Sequence, residues 1–149
     1  MALERTFTML KPGILSRRIA GEIISRIERK GFDIVAAKLL RISRNLAETH
    51  YVEHRGKPFF GGLVDYITSG PVLAMVLEGD GAVRMLRTMC GSTKAEEASP
   101  GTIRGDYAMH TGLNIIHASD SVESAKREIE LFFRSDEIVD WQDGNDGWI

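Results

Sequence analysis

The chain has 149 residues, of which 43% are apolar, and its 19 Lys and Arg residues nearly balance its 21 Asp and Glu residues. This length predicts one domain over residues 1–149, and the apolar fraction is too high for a disordered chain. The net charge of −2 argues against a general polyanion binder, but residues 134–149 hold five acids and one Arg, which leaves a mildly basic remainder that could form a local anion site.

The first part of the chain predicts two strands separated by a helix. Residues 6–10 have the composition of a short strand, and the Lys-Pro-Gly sequence at 11–13 predicts the turn that ends it. Apolar residues recur at helical spacing over 19–27, and Gly31 is placed to end that helix. The β-branched run at 32–42 predicts the second strand.

Two short helices and a buried strand are predicted next. Asn45 and Glu48 have the spacing of a capping box and predict a helix that runs through Tyr51. A second helix is expected over 59–68. The continuous apolar run at 72–78 is typical of a buried strand.

The remainder of the chain contains a long segment without periodicity. After a predicted helix at 82–90, residues 91–112 follow neither a helical nor a strand pattern. We expect this varied loop to be functional, since such long loops are unusual in small domains. Residues 114–117 predict a strand, and a cap within 119–121 predicts the final helix. That helix is expected to face the core with Val122, Ala125, Ile129 and Phe132.

This order of elements predicts the fold class. A strand-helix-strand unit, helical pieces and a strand-helix-strand-helix unit give two βαβ-like halves. They predict an α+β ferredoxin-like sandwich with a four-stranded antiparallel sheet and helices packed on it.

Membrane insertion, secretion and disulfide bonding are disfavoured. The longest apolar run, at 72–77, has six residues, whereas a membrane-spanning helix needs roughly 20. Polar and charged residues interrupt residues 1–10, so no signal peptide is predicted. The only cysteine, Cys90, cannot form an intrachain disulfide or a thiolate metal site. We therefore expect a cytoplasmic protein.

His117 is the first candidate for chemistry. It ends an apolar strand just before a helix start, where free N–H groups favour phosphate and a neutral histidine can act as a nucleophile. Glu128, seven residues after Ser121, returns to the same face of the last helix and could orient the ring. From position alone, a half-buried histidine bonded to a carbonyl and a solvated glutamate are the commoner arrangements.

Lys11, Arg87 and Arg104 are candidates for a phosphate site. They come from separate parts of the chain, and convergent Lys and Arg side chains bind polyphosphates. Spacing alone does not distinguish them from solvated surface bases. Neither a Walker sequence nor GxGxxG is present, which excludes those fingerprints but not nucleotide binding.

Two further pairs leave alternatives open. Phe59 and Phe60 follow a proline and could belong to the core, or one ring could stack on a base at the rim of a cleft. His50 and His54 have the i,i+4 spacing that can chelate a metal, but the HExxH signature is absent. We predict that both histidines lie on the surface.

Five motifs extend in a fixed order along nearly the whole chain, from about residue 3 to the final Trp148 and Ile149. They are Glu4-Arg5-Thr6-Phe7 with Lys11-Pro12, Lys57-Pro58-Phe59-Phe60, Thr68-Ser69-Gly70-Pro71, PGTIRGD at 100–106 and NIIHASDSVE at 114–123. In order and spacing, these motifs resemble the nucleoside diphosphate kinase family.

The resemblance implies a ferredoxin-like fold and a two-step, ping-pong exchange of the γ-phosphoryl group. A nucleoside triphosphate would phosphorylate His117, and a second diphosphate would take the group from the histidine, which maintains NTP and dNTP pools. The substrates would be ATP, GTP and other nucleoside di- and triphosphates, including the deoxy forms. Mg²⁺ would arrive with the nucleotide, held mainly by phosphate oxygens and water, without a dedicated protein metal site.

The resemblance also implies roles in catalysis. Ser119 and Glu128 would orient the ring of His117, and Tyr51 would hydrogen-bond near it. Lys11 would meet the transferred phosphoryl group and the ribose hydroxyl.

A second set of roles concerns nucleotide binding. Phe59 would stack on the base and accept purines and pyrimidines alike, because every base has a π-face. Arg87, Thr93 and Arg104 would hold the phosphates, and Asn114 would bind the sugar hydroxyl.

Four departures from the family pattern involve five residues. Ala118 replaces the usual glycine after the histidine, which predicts crowding or an unusual φ there. Leu113 replaces an arginine, Gly13 replaces a polar residue, and Lys94-Ala95 replaces Asn-Pro, which should loosen the loop. None removes an assigned residue, so we expect an active enzyme.

The family assembles from a common dimer. The long tail and the intact loop at 100–106 favour a homohexamer, with a homotetramer as the alternative.

Two other classes of function remain as alternatives. A non-catalytic nucleotide-binding module should have lost at least one of the assigned residues, and none is lost. A nucleic-acid-binding regulator is disfavoured by the net charge and the missing aromatic-basic signature, so nucleic acid is not an expected partner.

Overall fold

A four-stranded antiparallel sheet forms the centre of the computed structural model, which describes residues 3–149. The strands lie in the order β2-β3-β1-β4 and are β1 (Leu3–Leu10), β2 (Asp33–Leu40), β3 (Val72–Asp80) and β4 (Ile116–Ala118). β1 pairs with β3 from Leu3 opposite Asp80 to Leu10 opposite Leu73. The predicted antiparallel sheet and α+β class are confirmed.

Helices cover both faces of this sheet. Those of the described residues are α1 (Ala20–Lys30), α2 (Arg44–His50), α3 (Phe60–Thr68), α4 (Ala82–Cys90), α5 (Ile103–Tyr107) and α6 (Val122–Phe132). Single 3-10 turns lie at Val52–His54, Ala95–Glu97, Thr111–Leu113 and Ser135–Glu137. Among residues 3–149, no helix combines the length and apolarity needed to span a membrane.

The sheet separates two apolar cores. Phe7 and Met9 of β1 belong to the core that includes residues of α2, α3 and α6, whereas Leu10 belongs to the core that includes residues of α1 and α4. Burial of each large aliphatic or aromatic side chain stabilises the fold by about 1.5–3 kcal/mol. Cys90 lies in the second core, where burial raises the pKa of its thiol to about 11.

Two local predictions were wrong: the residue that caps α2 and the burial of Val122 at the start of α6. Ser43, not Asn45, is the cap of α2, because its side chain accepts a hydrogen bond from the Leu46 N–H at 3.1 Å. In α6 the predicted cap is confirmed at Ser121, which accepts from Ser124 at 3.0 Å. Val122 does not face the core, however, since it is the first helical residue and lies 54% exposed.

The predicted structureless segment at 91–112 contains α5 and two 3-10 turns. Thr102 caps α5 by accepting a hydrogen bond from the Gly105 N–H at 3.0 Å. The Ala95 N–H donates to Thr111 Oγ1 at 3.0 Å, which joins the two 3-10 turns of this segment. The sequence contains no apolar period here because polar caps, not an amphipathic face, determine these short turns.

Candidate active site

His117 lies in the middle of β4, opposite Met9 of the central strand. Its Nε2 is 2.8 Å from Oε1 of Glu128. A carboxylate accepts hydrogen bonds, so the ring proton belongs on Nε2 and the lone pair on Nδ1. The side chain is 19% exposed. The structure therefore anchors one ring nitrogen of His117 and leaves the other without a protein partner.

Glu128 is a buried carboxylate fixed by two donors. Besides the His117 ring, Ser119 donates its hydroxyl to the same Oε1 at 2.6 Å. Burial raises the pKa of Glu128, but the hydrogen bonds from His117 and Ser119 and the nearby imidazoles outweigh it, and the net pKa is lowered. An ionised carboxylate thus holds the ring, and Ser119, which is fully buried, holds the carboxylate.

Lys11 and Asn114 form a buried pair beside this histidine. Nζ of Lys11 donates to Oδ1 of Asn114 at 2.8 Å, and only 5% of Lys11 is exposed. Burial, and then the charge of Arg104, lowers the pKa of Lys11 to about 7. Lys11 is in none of the ion pairs of the described residues, and an anionic ligand beside it would raise its pKa.

Arg104 holds the surrounding backbone together. Its guanidinium donates to the carbonyls of Asn114, Gly91 and Ile116 at 3.2, 2.9 and 2.6 Å. An arginine has five N–H groups, so two remain for a ligand. The side chain is 3% exposed, and burial lowers the pKa of the guanidinium.

Ile115 has an unusual backbone conformation between two site residues. Its φ is +66°, which a β-branched residue rarely adopts. The Ile115 N–H donates to the Tyr66 hydroxyl at 3.3 Å, and its carbonyl accepts from the Lys11 N–H at 2.9 Å. These hydrogen bonds stabilise the strained conformation of Ile115, which orients Asn114 and Ile116 toward the site.

A cleft of about 260 Å³ collects most of the predicted site residues. Eight of the ten line it directly: Lys11, Tyr51, Arg87, Thr93, Arg104, Asn114, His117 and Glu128. The bases that the sequence could not distinguish by spacing therefore converge on one histidine. Ser119 lies behind Glu128 rather than in the cleft.

The two neighbouring phenylalanines have different positions. Phe60 packs against the first core, whereas Phe59 is 51% exposed. The Phe59 ring lies 5.3 Å from that of His54, which lines the cleft. Of the two alternatives, Phe59 is thus the ring at the rim.

His50 is buried, contrary to the prediction that it lies on the surface. It is 5% exposed because the last turn of α2 packs on the sheet, with Ala47 of the same helix also buried. Its ring lies 4.7 Å from the ring of His117 and 5.3 Å from that of Phe132. Burial, more than the neighbouring His117, lowers the pKa of His50 to about 3, so the ring is neutral. The i,i+3 spacing from Ala47 was the available sequence signal.

The other histidine and the tyrosine of this segment also line the cleft. His54 is half-buried, so the surface prediction is wrong for it in part. Tyr51 is 7% exposed, and its hydroxyl has no hydrogen-bond partner among the described residues. Burial raises the pKa of this phenol, which remains protonated and able to donate.

Three of the residues that depart from the family pattern have backbone angles or exposure that suit them. Ala118 lies in β4 and is not among the described non-glycine residues with positive φ, so the expected unusual φ is absent. Gly13 has a φ of +98°, which suits glycine. Leu113 is 56% exposed.

A larger cleft of about 550 Å³ lies at the opposite end of β1. Its charged lining is mostly acidic, with Lys30 among Asp33, Glu78, Asp80, Asp143 and Asp146. This field repels polyphosphates, whereas the His117 cleft attracts them.

The chain is similar over nearly its whole length to proteins of one family. The family model described as nucleoside diphosphate kinase matches residues 4–138. A curated relative of that name from Archaeoglobus fulgidus is 58% identical over 147 residues, which cover 99% of this chain and 97% of the relative. One from Listeria monocytogenes is 58% identical over 147 residues and covers 99% of this chain and 100% of the relative.

A solved structure has a closely similar fold. It is described as a halophilic nucleoside diphosphate kinase from Halobacterium salinarum in complex with CDP. The two chains are 50% identical, the TM-score is 0.96, and the match covers 99% of this chain and 98% of that one.

Proposed function

The chain belongs to the nucleoside diphosphate kinase family, which catalyses phosphate transfer between nucleotides, and from this premise we propose that His117 carries the phosphoryl group between them. The observation that carries the proposal is the hydrogen bond between His117 Nε2 and Glu128 Oε1, at 2.8 Å. It leaves Nδ1 as the nitrogen that attacks phosphorus.

The reaction has two half-reactions in which bonds exchange one for one. Nδ1 of His117 attacks the γ-phosphorus of a nucleoside triphosphate, an N–P bond forms, and the bond to the β-phosphate oxygen breaks with its electron pair leaving on the diphosphate. A second diphosphate then attacks the same phosphorus with a terminal oxygen and releases the histidine. The substrates are nucleoside di- and triphosphates, and repeated turnover maintains NTP and dNTP pools.

Charge stabilisation comes from the bases of the cleft. The transition state of phosphoryl transfer is loose and charge-rich, so fixed cations and positioning supply most of the catalysis. Lys11 contacts the transferred group, and Arg87, Arg104 and Thr93 bind the remaining phosphates. The two unused N–H groups of Arg104 suit this role.

The rest of the nucleotide binds along the rim. Phe59 stacks on the base through an exposed ring face and thereby accepts any base. Asn114 and Lys11 bind the sugar hydroxyl, and Tyr51 donates toward the phosphorylated ring. Glu128 and Ser119 keep the ring oriented throughout both half-reactions.

A divalent cation, Mg²⁺, accompanies the nucleotide in this proposal. Mg²⁺ prefers six oxygen ligands, whereas the cleft lining has only the carboxylates of Glu53, Asp120 and Glu128, and the last is already bonded. These residues fit a cation held mainly by phosphate oxygens and water. When bound, it neutralises charge on the phosphates.

The test is transfer of label from γ-labelled ATP with Mg²⁺. We expect acid-labile, base-stable label on the wild-type chain, discharged by either GDP or UDP. His117→Ala should take up none while it keeps its fold and its affinity for nucleotides, and the His110→Ala variant, altered at an exposed residue, should label as the wild type does. Normal turnover by the His117→Ala variant would refute the mechanism.

We further infer a homohexamer, with a homotetramer as the alternative. Several large apolar side chains are exposed in the single chain, including Leu3 at 68%, Met109 at 81% and Trp148 at 89%. Such residues are commonly buried between subunits. Light scattering that gives the mass of a single chain would contradict this inference.

A further inference from the structure

His50 is a buried side chain whose two nitrogens have no assigned task. The ring is 5% exposed, and both Nδ1 and Nε2 have no hydrogen-bond partner among the described residues. Buried polar groups are nearly always bonded, because an unsatisfied one costs about 1–3 kcal/mol. Aromatic rings surround His50: Phe7 at 6.4 Å, Tyr51 at 4.6 Å and Phe132 at 5.3 Å between ring centroids. Its nitrogens therefore suit a ligand better than a protein partner.

The side chains that could share a metal ion with His50 are those of His117 and Glu128, once the ion replaces the hydrogen bond between them. One ligand atom from each of these three residues lies within 4.8 Å of the other two, and no other such group of three occurs in residues 3–149. Two imidazole nitrogens and one carboxylate oxygen are a typical three-ligand set for Zn²⁺, which leaves a fourth position for water or a phosphate oxygen. The same set is poor for Mg²⁺ and Ca²⁺, which prefer oxygen ligands.

The three donors belong to elements that are held together. Arg127 of α6 donates to the carbonyl of His50 at 3.1 Å and so ties α2 to α6. β4, which contains His117, is paired with β1, and Glu128 is fixed by Ser119. Bonds from Zn²⁺ to nitrogen and oxygen are about 2.0–2.2 Å long, so the donor atoms must close around the ion from separations of up to 4.8 Å.

We propose that His50, His117 and Glu128 form a Zn²⁺ site in the nucleotide-free chain, and that zinc in this site blocks phosphorylation of His117. The metal takes a lone pair of the His117 ring and draws the Glu128 carboxylate into its own coordination. The ring then loses the hydrogen bond that orients it, and its nucleophilic electron density is shared with the cation. Lys11 and Arg104 oppose a dication in the cleft, so the site favours reversible binding over permanent occupancy.

Metal binding in this proposal rests on geometry alone, whereas the inhibition rests on the proposed phosphohistidine function. The two parts therefore need separate readouts.

The first experiment titrates the nucleotide-free protein with Co²⁺, whose visible absorption reports coordination, and then displaces it with Zn²⁺. We expect one tetrahedral Co²⁺ per chain. His50→Phe retains an aromatic ring but no donor and should weaken binding about 100-fold, since even loss of an outer partner of a ligand costs 10–100-fold. His50→Gln provides the same comparison if the phenylalanine variant fails to fold.

His54→Gln is the matched control, because His54 lines the same cleft but lies outside the three-residue group. This variant should bind Co²⁺ as the wild type does. Equal Co²⁺ affinity in the wild type and a folded His50 variant, or a wild-type spectrum without tetrahedral bands, would overturn the site.

The second experiment measures labelling by γ-labelled ATP at fixed excess Mg²⁺ and increasing Zn²⁺. Zinc also binds free ATP, which affects all variants equally. The informative quantity is therefore the Zn²⁺ concentration for half-inhibition of a His50 variant divided by that of the wild type. We expect the His50 variants to need about tenfold more Zn²⁺ than wild type for half-inhibition, in line with the loss of a ligand. Equal sensitivity would overturn the inhibition. Absence of label without zinc would instead refute the phosphohistidine, and the Co²⁺ titration would still decide the metal site.

Discussion

Ile115 illustrates how much of this site depends on single residues in unusual conformations. A left-handed backbone costs a non-glycine residue about 1–2 kcal/mol, and Ile115 tolerates it because its N–H and carbonyl are both bonded. Its neighbours Asn114 and Ile116 supply a side chain and a carbonyl to the site. The backbone conformation of Ile115 thus determines where the Asn114 side chain and the Ile116 carbonyl point.

We predict that glycine and alanine reverse their usual order of stability at position 115. Both substitutions remove the buried isoleucine side chain, but only glycine adopts a φ of +66° without strain. Ile115→Gly should therefore be more stable to urea than Ile115→Ala by about 1 kcal/mol. An alanine variant that is the more stable of the two would contradict the strain.

Lys11 should make stability depend on pH in a known direction. Its pKa is about 7 in the native chain and 10.5 ordinarily, so between these values the unfolded chain binds a proton that the native chain lacks. The contribution of Lys11 to native stability therefore rises with pH across this window and is constant below it.

The comparison is with Lys11→Met, which has no such proton. As pH rises from 7 to 9, the free energy of unfolding of the wild type minus that of the variant should increase by about 1 kcal/mol per pH unit. Chemical denaturation without nucleotide, at one protein concentration, gives the difference. A constant difference between the two proteins would mean that Lys11 has an ordinary pKa.

At the scale of elements, the loop that contains α5 is the main support of the cleft. The guanidinium of Arg104, a residue of α5, donates hydrogen bonds to three backbone carbonyls on two other segments. Gly105 follows it at a point where a Cβ would lie 1.9 Å from the carbonyl oxygen of Ser99. This contact is with backbone, which cannot rotate away.

Gly105→Ala should therefore displace α5 and with it Arg104. We expect a loss of about 1–3 kcal/mol of stability, typical of overpacking, together with a higher KM for both nucleotide substrates. Gly112→Ala in the same region adds a Cβ that meets nothing within 4 Å and is the matched control. Equal melting temperatures and KM values for the two variants would contradict this role of the loop.

Elements with regular apolar patterns were predictable, and those with polar caps were not. The helix at 82–90 was predicted with the bounds of α4, because Val83, Leu86 and Cys90 repeat at helical spacing. α5 has only five residues, which is too short to establish a period. Position in the sequence made His117, Lys11 and Arg104 candidates, but only the resemblance separated Arg104 from a surface arginine. His50 was missed because a short helix gives little indication of which face is buried.

For the whole molecule, charge is divided between the two ends of the central strand. The acidic cleft lies where β1 begins and the basic cleft where it ends, roughly 25 Å apart for eight residues of strand. An approaching polyphosphate is repelled at one end and attracted at the other. The near-zero net charge of the sequence conceals this division.

The tail should contribute to stability but not to labelling of His117. Trp141 Nε1 donates to the Ile34 carbonyl at 3.1 Å, Asp140 pairs with Arg5, and Ile149 packs against Gly31, all far from the cleft. Removal of residues 140–149 should lower Tm by roughly 3–6 °C, equivalent to about 1 kcal/mol, and leave the label per chain unchanged. A truncated chain that folds but takes up no label would contradict this separation.

The buried thiol of Cys90 has a practical consequence for studying motion in this enzyme. A thiol with a pKa of about 11 inside the core is almost entirely protonated and shielded, so maleimide reagents will not modify it in the native chain. Two cysteines introduced on the exposed surface would then be the only sites that accept fluorophores. Distances between labelled positions could therefore be followed during turnover without first removing a native residue.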